Sequence, residues 1–120
     1  MAANRTPELA TKATATLAWV ILLASAVLEA VWATALGLSD GFTRPLPTLV
    51  FAVTATLSMA GLGLAVKNIP LGTAYAVWVG VGVVLTSAYA MFTRVEPATA
   101  ARILLLGGIV ACVAGLKLVA

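Results

Sequence analysis

The stretch Leu17-Ala-Trp-Val-Ile-Leu-Leu-Ala-Ser-Ala-Val-Leu-Glu29-Ala-Val-Trp32-Ala-Thr-Ala-Leu-Gly-Leu38 is 22 residues long and carries a single charge. A helix of about 20 apolar residues crosses the ~30 Å hydrocarbon core of a bilayer, so this segment reads as a transmembrane helix. Two more runs of this kind follow, Leu46–Val66 (21 residues) and Leu71–Thr93 (23 residues), both without charge. The fourth is shorter, with 14 uncharged residues in Ile103–Leu116, and length alone leaves it ambiguous. Arg102 and Lys117 can snorkel to opposite interfaces and extend it to about residues 100–120. The fold class that results is an all-α membrane protein with four transmembrane helices per subunit, at about 17–38, 46–66, 71–93 and 100–120. Together they make one membrane domain, 17–120, behind a polar N-terminal tail, 1–16.

Composition agrees. Of the 120 residues, 62% are hydrophobic and 9% charged, with a mean hydropathy of +1.12. A soluble domain is about 25% charged, so this chain cannot coat a water-facing surface. The absence of His, a single Cys and four acids in all leave little for hydrolytic or metal chemistry, so neither an enzyme nor a metal or cofactor site is expected. The net charge of +3 is ordinary for a membrane protein and gives no reason to expect nucleic acid. The tail, with Arg5, Glu8 and Lys12, reads as mobile with one amphipathic turn. It does not read as a signal peptide, because the apolar run behind it is too long and three more spans follow. A plasma (inner) membrane location is expected.

The connections Ser39–Pro45, Lys67–Pro70 and Arg94–Ala101 are short enough to force antiparallel neighbours. With the N-terminus inside, Arg5, Lys12, Lys67 and Lys117 lie on one side and Arg44, Arg94 and Arg102 on the other. The positive-inside rule needs an excess to fix orientation. Four against three admits insertion in both directions, and equally a single N-in topology with a weak bias.

Glu29 is position 13 of the 22 in the first span, near the bilayer midplane. An acid at that depth costs roughly 2.5–3.5 kcal/mol and faces a cavity or a partner. No basic residue shares its depth, so an ion pair within the chain is not open to it. Glu29 therefore reads as a cation or proton site, against the alternative of a packing acid held neutral by hydrogen bonds. Ser25 at i−4 and Trp32 at i+3 share its face, and Trp32 offers a ring to a cation. Trp19 suits the interfacial belt. On the second span, Ser58 lies near mid-membrane, placed either to hydrogen-bond a buried carboxylate or to bond back to its own helix. Tyr75 and Trp78 share a face of the third span, and Gly80 and Gly82 after them form a candidate hinge. Gly107, Ala111 and Gly115 make a small-residue stripe on the fourth span, where another membrane helix can pack. Val113 lies on the opposite face, where a Leu should be neutral to that packing. Lys117 reads as a membrane-end anchor or as the partner of an acid.

Together these strings resemble the small multidrug resistance family, and within it the guanidinium-exporter subtype. The strings are Leu28-Glu-Ala-Val-Trp-Ala33, Gly41-Phe-Thr-Arg44, Pro70-Leu-Gly-Thr-Ala-Tyr-Ala-Val-Trp78, Gly80-Val-Gly82, Glu96-Pro97 and Gly115-Leu-Lys117. The resemblance covers Trp19 to Leu118. It implies an antiparallel, dual-topology dimer of four-helix subunits that exports guanidinium-type cations against protons. It also implies that Glu29 binds proton and cation in alternation, that Trp32, Tyr75 and Trp78 surround it, that Ser58 hydrogen-bonds it, and that Lys117 is the family's C-terminal lysine. Ala26 stands where the subtype has glycine. Pairing with a sister subunit is the alternative to a homodimer. Two other functions stay open: a broader exporter of quaternary ammonium and other hydrophobic cations, and a non-transporting membrane partner. The latter leaves Glu29 unexplained.

Overall fold

The computed structural model describes the backbone of residues 2–119 and the side chains of residues 12–119. It contains four helices, α1 (Ala2–Leu38), α2 (Pro45–Ala65), α3 (Leu71–Phe92) and α4 (Ala100–Val119). All four are long and apolar enough to cross a membrane, with the α1 span at Lys12–Leu38. Helices are the required solution here, because a lone segment in lipid has no other way to satisfy its N–H and C=O groups. The boundaries of α2, α3 and α4 fall within a residue of those read from the sequence.

α1 is the exception. The sequence places its start at Leu17, with a mobile tail before it, but the helix runs back to Ala2. The segment is rich in Ala and Thr and adjoins a preformed helix, so it extends that helix without the cost of a new nucleus. Lys12–Thr16 are exposed on this extension, and the side chains before Lys12 lie outside the described residues.

The turns explain the antiparallel packing. α1 ends at Ser39, whose hydroxyl donates to Leu36 O at 2.7 Å and accepts from Phe42 N–H at 3.2 Å. Asp40, Gly41 and Phe42 all have positive φ, a reversal that Gly41 makes at no steric cost. Arg44 N–H closes the turn onto Ser39 O at 3.0 Å. Pro45 then opens α2, where a missing N–H is harmless. At the other end, Ile69 is buried under the α2–α3 turn and Pro70 caps α3. Before α4, Arg102 donates to Glu96 Oε2 at 2.7 Å, so this arginine is engaged in the loop.

α1 sits in the middle, against α2 and α3, while among the described residues the α4 backbone packs against α3 alone. The core is thin, with Ala18, Leu22, Ala26, Ala65, Ala74, Val77 and Trp78 at its centre. Most large apolar side chains point outward, as a lipid-facing protein requires. α4 has no buried residue among those described.

Candidate functional site

Ser25 and Glu29 lie one turn apart on α1, and both are buried. Neighbouring glycines accommodate them. A Cβ on Gly61 of α2 would overlap the Ser25 hydroxyl, and one on Gly82 of α3 would overlap the Glu29 carboxyl. The Ser25 hydroxyl donates to Ile21 O at 2.7 Å within its own helix. The Glu29 carboxyl is 6% exposed as a residue, and its Oε1 has no hydrogen-bond partner among the described residues. A buried polar atom without a partner costs about 1–3 kcal/mol, more if charged. Native proteins hold few such atoms, and each calls for a specific explanation, a bound ligand or ion among them.

Ser58 is fully buried and bridges helices instead of bonding back to its own. Its hydroxyl donates to Ser25 O at 2.7 Å and accepts from Trp78 Nε1–H at 3.1 Å. The resemblance implies a bond from Ser58 to Glu29, but its only proton goes to the Ser25 carbonyl, one helical turn away. Thr54 and Thr56, the other hydroxyls of α2 in this region, bond back to Val50 O and Ala52 O.

Five of the eight aromatic residues form one connected series. Tyr75 stacks on Trp78 with centroids 5.9 Å apart, and Trp78 lies 6.4 Å from Trp32. Trp32 meets Phe51 edge-on at 5.8 Å, and Phe51 lies 5.5 Å from Phe42 of the α1–α2 turn. Trp32 Nε1 is also buried without a partner among the described residues. The site therefore combines an unpartnered carboxyl oxygen, an unpartnered N–H and several ring faces near mid-membrane. That suits a planar or quaternary cation, attracted by charge and by π-faces. Phe51 was missed from sequence. It lies seven residues before Ser58, and this helical spacing would have found it.

The remaining residues fall into place around this cluster. Tyr75 is half-exposed, while Gly80 and Gly82 lie on opposite faces of an unbroken α3. A Cβ on Gly80 would come 2.7 Å from Val113 Cγ2, so Val113 faces α3 and is not a neutral position. Gly107, Ala111 and Gly115 point the other way and are exposed, and a Cβ on either glycine would meet nothing within 4 Å. Lys117 Nζ lies 5.2 Å from the Trp19 ring centroid, a cation–π contact between the C-terminal turn of α4 and the middle of α1. Ala26 is fully buried in the core. A separate apolar pocket of about 550 Å³ lies on the other face of α1, lined by Val27, Val31, Thr34, Val50, Leu85 and Tyr89 among others.

Residues 17–109 match the sequence profile described as Small Multidrug Resistance protein. The chain belongs to the small multidrug resistance family. A protein of Salmonella typhimurium named Guanidinium exporter is 43% identical over 102 residues, 85% of this chain and 97% of that protein. A Guanidinium exporter of Yersinia pestis is 44% identical over the same share of this chain and 98% of its own length. One of Citrobacter freundii is 42% identical over 85% of this chain and 97% of its own length. Family and helices together make this a multi-pass protein of the inner membrane.

Proposed function

We propose that this chain is a guanidinium exporter that couples outward movement of the cation to inward movement of protons. Its relatives bear that name and are matched over nearly their whole length. The observation that carries the reading is the buried Glu29 carboxyl, its Oε1 unpartnered among the described residues, three residues before Trp32 on α1, whose ring lies 6.4 Å from that of Trp78.

A carboxylate can hold a proton or accept a cation, but not both at once. That exclusion couples the two fluxes when the site opens to one side of the membrane at a time. Guanidinium is planar and weakly hydrated, and its paired N–H groups match the two carboxylate oxygens. Trp32 and Trp78 would flank the bound cation, with Tyr75 stacked on Trp78. Ser58 holds Trp78 and the α1 turn below Glu29 in register. The alternation of access would use Gly80 and Gly82 as the flexible point of α3.

The working unit is an antiparallel homodimer. The near-even charge split lets the chain insert in both orientations, and the exposed stripe of Gly107, Ala111 and Gly115 offers a close-packing seam. Such a dimer is the two-chain form of an inverted-repeat transporter, whose two open states are related by symmetry.

Competition between the ligands tests the site. Guanidinium binding to the purified chain should weaken as pH falls, by up to about tenfold per unit where one proton displaces one cation. Titration followed by tryptophan fluorescence reads it, since Trp32 and Trp78 line the site. Affinity that stays constant from about pH 5 to 9 would remove the shared site.

A further inference from the structure

α3 carries two buried glycines near mid-membrane, Gly80 and Gly82, and their faces meet different neighbours. A Cβ on Gly80 would meet Val113 and Ile109 of α4 at 2.7 and 3.5 Å. A Cβ on Gly82 would overlap Cδ and Oε2 of Glu29 and lie 2.8 Å from Oε1. The carboxyl occupies the space that any side chain at 82 would fill. Along the rest of the chain, Gly37, Gly63, Gly72, Gly107, Gly108 and Gly115 face open space. A glycine that receives a polar α1 side chain is therefore specific to two places, Gly61 for Ser25 and Gly82 for Glu29.

Among the described residues, no hydrogen bond holds Oε1 of Glu29. Its position is set by shape, in a notch on α3. We infer that Gly82 is a positioning residue for cation binding, a notch that fixes the Glu29 carboxyl without using the lone pairs of Oε1. An arriving N–H donor then meets a carboxyl already in place, and no existing bond of Oε1 has to break first. This inference rests on Glu29 being the cation's carboxylate, and it gives Gly82 a role distinct from chain flexibility.

A double-mutant cycle reads the notch directly. Gly82→Ala puts a methyl group where the carboxyl sits, and overpacking of this kind destabilises and displaces the smaller obstacle. Glu29→Asp withdraws the carboxyl by one methylene, about 1.5 Å, which makes room for that methyl. In detergent, Gly82→Ala should lower the unfolding temperature of the wild-type chain by about 5 °C. In the Glu29→Asp background it should lower it by less than half as much. Guanidinium affinity should follow, with Gly82→Ala costing about tenfold alone and the double variant binding no worse than Glu29→Asp. Gly80→Ala, whose methyl group meets α4, should cost the same in both backgrounds.

Equal costs of Gly82→Ala in both backgrounds, in unfolding temperature, would overturn the notch, whatever the Glu29→Asp chain binds. Glu29→Gln in parallel separates the two claims. Lost binding in that variant with an additive cycle removes the notch alone. Undiminished binding removes Glu29 as the cation site and the functional role of the notch with it.

Discussion

Glu29→Gln is expected to abolish proton-coupled guanidinium transport while leaving the helices and the dimer intact. The amide has nearly the shape of the carboxyl, so it still fits beside Gly82, where the fit is steric. It carries no charge and exchanges no proton. A hydrogen bond to a charged group contributes about 1.5–3 kcal/mol, so guanidinium should bind roughly tenfold to more than a hundredfold more weakly. The proton flux should disappear altogether, since no other acid lies within the spans. The measurement is paired, with guanidinium efflux and lumenal pH followed in the same vesicles, after circular dichroism and gel filtration confirm fold and assembly. Coupled flux near the wild-type rate would take Glu29 out of the mechanism.

The second large effect is expected from the far side of the subunit. Gly107→Leu and Gly115→Leu should each weaken the dimer in detergent, and transport should fall with the dimer population. Among the described residues α4 has none buried, and a Cβ on either stripe glycine meets no described atom within 4 Å, so a Leu there points away from the rest of the subunit. Any loss of function from such a change must arise outside the chain that carries it. Overpacking of a close interface costs roughly 1–3 kcal/mol. Val113→Leu supplies the contrast. Val113 faces Gly80, so its enlargement should lower thermal stability within the subunit instead of releasing the partner. Dimers of unchanged strength in both Gly→Leu variants would mean that the stripe faces lipid.

Four spans were legible because each is a long apolar run, broken only by Glu29 in the first and extended past Arg102 and Lys117 in the fourth, and the bilayer leaves helix as the sole solution. The start of α1 was not, because polar composition tells little about a helix that continues from an existing one. Glu29 was legible as the one acid at depth. Its neighbours were legible in part. Helical spacing put Trp32 on the same face of α1 and Tyr75 beside Trp78, and the second pairing is present as a ring stack. What Ser58 bonds to was not legible, because a hydroxyl at mid-membrane has several acceptors within reach and only the packing of α1 on α2 selects Ser25 O. Gly82 shows the same limit. Sequence marks two glycines as a flexible spot, but only the rotation of α3 against α1 and α4 shows that one faces Glu29 and the other Val113. The interhelical contact of Lys117 with Trp19 was likewise out of reach of spacing within either helix.

The most direct test uses the wild-type chain alone, reconstituted in sealed liposomes loaded with guanidinium and diluted into guanidinium-free buffer of the same pH. Antiport predicts that the lumen acidifies as guanidinium leaves, and that the acidification vanishes when guanidinium is equal on both sides. Guanidinium leaving with no change in lumenal pH would contradict the account, because cation and proton would then not share one carboxylate.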